Sequence, residues 1–217
     1  MSGQSLKLIA IVTMLIDHIG LALFPEQLMW RYIGRISFPI FAFLIVEGFV
    51  HTSDFKRYVG RILIFGIVSE IPFNMLVAGK IIDLEHQNVF FTFAIGLIML
   101  HFIEKNTVPV LNNGFLIIGI IFSIILRTDY SIYGIGLIYI FYVFKNSKIT
   151  MLSFATLVSL ISGGAQRFAA LSTAPIALYN GERGPKALDN KFMKYLFYVF
   201  YPLHIIVLVT IRAVIYG

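Results

Sequence analysis

Asp17 and His18 stand side by side in the middle of the apolar run Leu6–Phe24. A carboxylate or an imidazolium at bilayer depth costs about 2.5–3.5 kcal/mol on insertion scales, and such groups face a bundle interior or a water-filled cavity. Neighbours in sequence point about 100° apart on a helix, so each of the two must meet partners from other helices. Two readings stay open. In one, His18 is a general base taking a proton from a nucleophile, while Asp17 orients a neighbour or pairs with an arginine. In the other, the two are a structural intramembrane ion pair. Arg35 is a geometrically sensible partner for Asp17, because the end of a first span and the start of a second lie on one side.

Further chemistry-bearing residues recur at helical spacing. Arg31 and Arg35 are four apart and share a face. Glu47 and His51 repeat that spacing, where a carboxylate can hold an imidazole's tautomer; the bland alternative is a helix-end pair at the headgroup level. Glu70 precedes Pro72, whose missing N–H frees a carbonyl one turn earlier, so it marks either a cavity-lining kink or a helix end that reaches water. His204 lies deep in the last apolar run, as a cavity group or as a packed histidine. Asn180-Gly181-Glu182-Arg183-Gly184-Pro185 reads as a tight turn. With Lys186, Lys191 and Lys194 it forms the densest basic patch, which suits either a phosphate-binding rim or ordinary charged flanks. The aromatic run Tyr195–Tyr201, Tyr198 included, reads first as a headgroup belt and second as stacking faces for a base.

Other chemistries lack their residues. There is no cysteine, which removes disulfides, thiolate nucleophiles and iron–sulfur ligation. No GxGxxG, Walker A or HExxH spacing occurs, and no serine sits in a nucleophile elbow. Spacing points to no metal, although His18, His51 and His204 are free to meet in space.

These residues need helices to carry them. Of the 217 residues 59% are hydrophobic and 13% charged, with a mean hydropathy of +0.87, against roughly 45–50% and 25% in soluble domains. That composition predicts an all-α, polytopic transmembrane bundle in one domain, residues 1–217. Apolar runs fall near 6–24, 33–51, 58–78, 88–103, 108–126, 131–144, 149–162 and 193–215. The first carries no small-residue cleavage pattern and reads as a retained span. Phe168–Tyr179 is the ambiguous piece, giving eight spans or nine. Eight leaves Lys and Arg evenly split between the two sides, whereas nine puts eleven of the seventeen on the N-terminal side. The positive-inside rule then favours nine spans in the inner membrane with a cytoplasmic N-terminus. The formal charge of +6 is thereby explained by topology, with the bilayer rather than nucleic acid as the partner.

Five separated motifs resemble the TraX family. They are Leu15-Ile16-Asp17-His18-Ile19-Gly20, Gly34-Arg35-Ile36-Ser37-Phe38-Pro39-Ile40-Phe41-Ala42-Phe43, Glu47-Gly48-Phe49 with His51-Thr52, Tyr179-Asn180-Gly181 with Arg183-Gly184, and Lys194-Tyr195-Leu196-Phe197-Tyr198 through Tyr201-Pro202-Leu203-His204. The resemblance implies an integral membrane enzyme that moves an acetyl group from acetyl-CoA to an amine or hydroxyl. In the family's named member the acceptor is the N-terminus of F-type pilin; for this chain it is left as a protein N-terminus, a small molecule or a glycan. On that basis Asp17, His18, Glu47 and His51 are the expected catalytic group. Arg57, Asn180, Arg183, Lys194 and Tyr198 are expected to hold CoA, and Arg31, Arg35, Glu70 and His204 to lie on the acceptor side. The rival is a small proton-coupled transporter using the same acids as a relay, for which the sequence shows no convincing inverted repeat. A scaffold in a secretion or conjugation complex is a third reading.

Overall fold

The computed structural model describes residues 1–185 and 191–216, with helix backbone alone for 191–194 and 196–197. Its elements are α1 (Gly3–Leu23), α2 (Leu28–Gly34), α3 (Ser37–Val50), α4 (Phe55–Val77), α5 (Val89–Lys105), α6 (Leu111–Ile125), α7 (Ser131–Val143), α8 (Lys148–Ile161), a 3₁₀ helix (Gly164–Ser172) running into α9 (Thr173–Ala177), and α10 (Lys191–Tyr216). Extended pairing among the described residues is limited to an isolated bridge between Gln87 and Thr128.

Local chemistry sets the boundaries. Ser2 caps α1 by accepting from the Ser5 amide, and Pro25 follows its last turn. Asp54 and Asn88 cap α4 and α5 in the same way, satisfying orphan amides at the helix starts. Leu28–Val50 is one apolar rod interrupted at Arg35-Ile36. Pro39, the third residue of α3, lacks the N–H that would bond the Arg35 carbonyl. The break therefore falls where two arginines must turn inward.

Six helices close a ring in which α1, α3, α7, α5, α4 and α10 each pack on the next and α10 returns to α1. Their facing side chains form one hydrophobic cluster, with Leu6, Ile40, Ile62, Leu97, Ile138 and Ile205 fully buried. α6 and α8 lie outside the ring against α5 and α7, and the 3₁₀ helix returns beside α2, α3 and α8. The outward faces are apolar, as at Ile64, Ile67 and Ile71 of α4 and at Ile121 and Ile125 of α6, the pattern of helices immersed in lipid. This is a membrane protein.

Gly3–Leu23, Leu28–Val50, Phe55–Val77 and Tyr198–Tyr216 are long and apolar enough to cross a bilayer, whereas Leu111–Ile125, Ser131–Val143 and Lys148–Ile161 are shorter. At 1.5 Å per residue these shorter helices reach only about 20–23 Å, less than a hydrocarbon core of about 30 Å. Among the described residues four helices are long enough by this measure, and the eight or nine expected spans are not confirmed by helix length. The piece Phe168–Tyr179 is a 3₁₀ helix continued by one α turn rather than a regular span. It starts where Gly163 and Gly164 take positive φ, a conformation glycine adopts freely. Even so, it carries the chain back: the Leu178 carbonyl accepts from the Met1 ammonium, and the Tyr179 carbonyl from Lys148.

Close approach of α1 and α2 depends on Gly20 and Gly34. A Cβ on Gly20 would strike Trp30, and one on Gly34 would fall inside the Asp17 carboxylate. Gly34→Ala is expected to lower stability by about 1–3 kcal/mol, read as a fall in thermal unfolding temperature in detergent. Gly60→Ala, where a Cβ meets open space, serves as the control and should not show this loss.

Candidate functional site

A cavity of about 160 Å³ lies at the ring end opposite the N-terminus, lined by α1, α2, α3, α4, α5, α10 and the loops 78–88 and 126–130. Met14, Asp17, His18 and Leu21 line it from α1, the i, i+3, i+4, i+7 face of one helix. Arg31, Gly34 and Arg35 supply the opposing edge, and Tyr201 comes from α10.

Asp17 is buried. Its Oδ2 accepts from Arg31 Nη1 at 2.9 Å and lies 3.5 Å from Arg35 Nη2, so the pairing with Arg35 that the sequence suggested is present, and Arg31 is the closer partner. Its Oδ1 has no hydrogen-bond partner. Arg35 also donates to the Tyr130 hydroxyl at 3.3 Å and to Gln166 Oε1 at 3.5 Å, with the guanidinium 5.5 Å from the Tyr130 ring centre.

His18 and His204 meet across α1 and α10. Nδ1 of His18 lies 2.7 Å from Nε2 of His204, and Nδ1 of His204 lies 2.6 Å from the Phe200 carbonyl. A carbonyl only accepts, so His204 donates through Nδ1 and offers the lone pair of Nε2. His18 then donates through Nδ1 and keeps a lone pair on its own Nε2. One imidazole orients and polarises the other, an arrangement suited to general-base work. Tyr201 sits edge-on to both rings at 5.9 Å. Residues 201 and 204 are three apart and face α1 together.

The remaining wall contains groups that sequence reasoning missed. Neither Asp129 nor His86 is marked by spacing or by depth in an apolar run. Their side chains approach at 3.4 Å, from Nε2 of His86 to Oδ1 of Asp129, and both line the cavity. The loops that carry them are joined through the backbone: the Gln87 amide donates to the Arg127 carbonyl at 3.0 Å and the Asp129 amide to the Gln87 carbonyl at 2.8 Å. Arg127 pairs with Glu85, and Thr92 donates to the Asp129 carbonyl. Arg127, Tyr130 and Ser131 all have positive φ, strained for residues with a Cβ. Nothing in the periodicity of the chain marks such a turn.

Other expected site residues lie elsewhere. Glu70 is not on the cavity; its carboxylate holds the Asn88 side chain and amide at the start of α5, while Phe73 and Val77 of the same helix do reach it. Glu47 and His51 form no carboxylate–imidazole pair. The Glu47 carboxylate accepts from the Tyr179 hydroxyl at 3.1 Å, and exposed His51 donates through Nδ1 to the Glu47 backbone carbonyl at 2.8 Å. Ten residues of helix, about 15 Å, separate Glu47 from Ser37 at the cavity edge, so this pair does not share a site with Asp17 and His18.

The residues expected to hold a cofactor gather at the N-terminal face. Arg57 pairs with Asp54 at 3.0 Å on an open surface. Asn180 bonds Glu182 through its side chain and Met1 through its amide, and the Arg183 carbonyl accepts from the Gln4 amide. Tyr198 stacks on Phe65 at 5.1 Å. The side chain of Lys194 lies outside the described residues, as does Lys186. Among the described residues no three His, Asp or Glu groups converge as a metal site would require.

His86, outside the helices, has its pKa raised from the ordinary value, first by the hydrogen bond to Asp129 and also by the charges of Asp129, Glu70 and Asp83. A raised value means that the folded state favours protonated His86. The resulting stability is full below about pH 6.5 and is lost as pH rises through the raised value. Amide hydrogen exchange at Gln87 and Asp129 should therefore accelerate more across that window than base catalysis alone predicts, and His86→Gln should remove the excess.

Comparison with known proteins places these features in a lineage. The family described as TraX protein matches residues 2–212. A relative from Dichelobacter nodosus, named probable fimbrial assembly protein FimC, serogroup H1, is 28% identical over 240 aligned residues, covering 97% of this chain and 96% of its own. An uncharacterized protein of Rickettsia prowazekii, RP591, is 30% identical over 110 residues, 51% of this chain and 41% of its own. No solved structure matches.

Proposed function

This chain belongs to the TraX protein family, and on that premise we propose that it is a membrane acetyltransferase moving an acetyl group from acetyl-CoA to an amine or hydroxyl acceptor. The observation that carries this reading is His18, on the wall of a cavity inside the bundle and bonded through Nδ1 to His204. As the acceptor nitrogen or oxygen attacks the thioester carbonyl carbon, His18 Nε2 takes its proton. The C–S bond breaks, and the imidazolium returns that proton to the CoA sulfur. Arg31 and Arg35 sit where negative charge developing on the carbonyl oxygen can be stabilised.

Acetyl-CoA would dock its phosphates at the basic N-terminal face that carries Arg57, Asn180 and Arg183, with Lys194 and Tyr198 of α10 as further candidates. From Gly3 to His18 is about 22 Å of helix, and a pantetheine arm spans roughly 15–20 Å by extended-chain dimensions. The acceptor would enter at the opposite, cavity-bearing end. The relative named for fimbrial assembly supports a role connected with pili, with a pilin N-terminus the acceptor to try first.

Purified protein in nanodiscs should release CoA from acetyl-CoA, and His18→Ala of equal thermal stability should lose about 10²–10⁴-fold. Wild type that neither binds nor cleaves acetyl-CoA would sink the reading.

The arrangement further needs a multi-pass protein of the inner membrane with its N-terminus inside. Nine passes, the shorter ones tilted little or met by local thinning, put eleven of seventeen Lys and Arg on that side. Because the chain has no cysteine, single replacements can be labelled cleanly. An impermeant maleimide added outside intact spheroplasts should label Lys80→Cys and spare Ser2→Cys; the reverse pattern would invert the topology.

A further inference from the structure

An amine that arrives at neutral pH is an ammonium, and an ammonium has no lone pair with which to attack. Its acetylation runs as R–NH₃⁺ plus acetyl-CoA to the amide, CoA thiol and one free proton. Two protons therefore leave the nitrogen, one before attack and one during it. The His18–His204 pair accounts for the second, which returns to the CoA sulfur. The first needs another base, in contact with the cavity and able to shed its proton to water.

We propose that His86, held by Asp129 on the cavity wall, is that base, deprotonating an entering ammonium so that the neutral amine can attack the thioester. This rests on the acetyltransferase reading and extends it. Both side chains line the same cavity as His18, yet they belong to the loops at its mouth, and His86 is half-exposed, so its proton has a way out. Asp129 Oδ1 lies 3.4 Å from His86 Nε2, a placement that favours the proton on Nε2 and the lone pair on Nδ1. Asp129 is itself fixed: its Oδ1 accepts from the Tyr130 amide at 3.0 Å and its carbonyl from Thr92. The charged groups facing His86 are Asp129 from the 126–130 loop, Glu70 from α4 and Asp83 from its own loop; Phe73 of α4 stacks on its ring at 5.7 Å. These three charged groups are carboxylates and make the mouth of the cavity attractive to an ammonium, while Arg31 and Arg35 line the same cavity beside Asp17. The order of events is then balanced. His86 Nδ1 takes a proton from R–NH₃⁺, the amine nitrogen bonds the acetyl carbon as the C–S bond breaks, His18 moves the second proton to sulfur, and His86 releases the first to the outer water.

The test compares two small acceptors in nanodiscs, ethylamine, protonated at neutral pH, and hydroxylamine, which is not, with CoA release measured above the uncatalysed background. His86→Gln should raise the hydroxylamine-to-ethylamine rate ratio at least tenfold at pH 7, and higher pH should bring the ratio back toward that of wild type. Asp129→Asn should shift the ratio in the same direction by less. An equal fall for both acceptors, which is what a structural role produces, would overturn the proposal, and so would an unchanged ratio. Wild type inactive toward both would overturn the acetyltransferase reading itself, a different failure from a uniform loss in the variant.

Discussion

Asp17 carries two guanidiniums on one carboxylate oxygen inside a bundle whose outer surface faces lipid. Removing either sign from such a cluster leaves an uncompensated buried charge, which costs several kcal/mol even where the intact pair contributes little net stability. Much of the cavity end follows from this one constraint. Gly34 has no side chain because Asp17 occupies its space. With Pro39 one turn further on, the rod breaks at Arg35-Ile36, letting α2 lean on α1 while α3 enters the core. Tyr130 and Gln166 gather round Arg35 and both accept from its Nη1, while its Nε stays without a hydrogen-bond partner.

The cap of the cavity is built on a different principle. The loops 78–88 and 126–130 have little apolar core of their own and are held by a short run of backbone bonds and two ion pairs, with Arg127 and Tyr130 at positive φ. Strained backbone persists where surrounding contacts over-determine it. Here those contacts are Phe38 stacked on Tyr130 at 3.8 Å and the Arg35 guanidinium beside the same ring. The ion-pair centre and the cap are thus mechanically linked through Tyr130.

Titratable groups inside the bundle and basic surface groups are segregated along the bundle axis. The imidazole pair, two carboxylates and two arginines crowd the cavity end, while Glu47, Asn180 and Arg183 knit the N-terminal face together through Tyr179, Met1 and Gln4. Several residues conspicuous in the sequence therefore brace the fold: Glu70 holds the start of α5, and Glu47 anchors the Tyr179 hydroxyl.

Helix content, membrane character and the inward placement of Asp17, His18, Arg31, Arg35 and His204 were legible in the chain, because each rests on local information. Apolar runs dictate helices in lipid, and ionisable residues within them are too costly to be incidental. The Asp17–Arg35 pair was legible too, since one short turn joins their helices. The Glu47–His51 spacing misled, because side chains four apart share a face without being obliged to bond each other. His86 and Asp129 were invisible, being single polar residues in loops whose meeting depends on the bridge between Gln87 and Thr128. The bond between His18 and His204 joins residues 186 positions apart. Sequence fixes what each helix must hide, but which hidden groups touch is set by how the ring closes, a long-range packing outcome that no local pattern encodes.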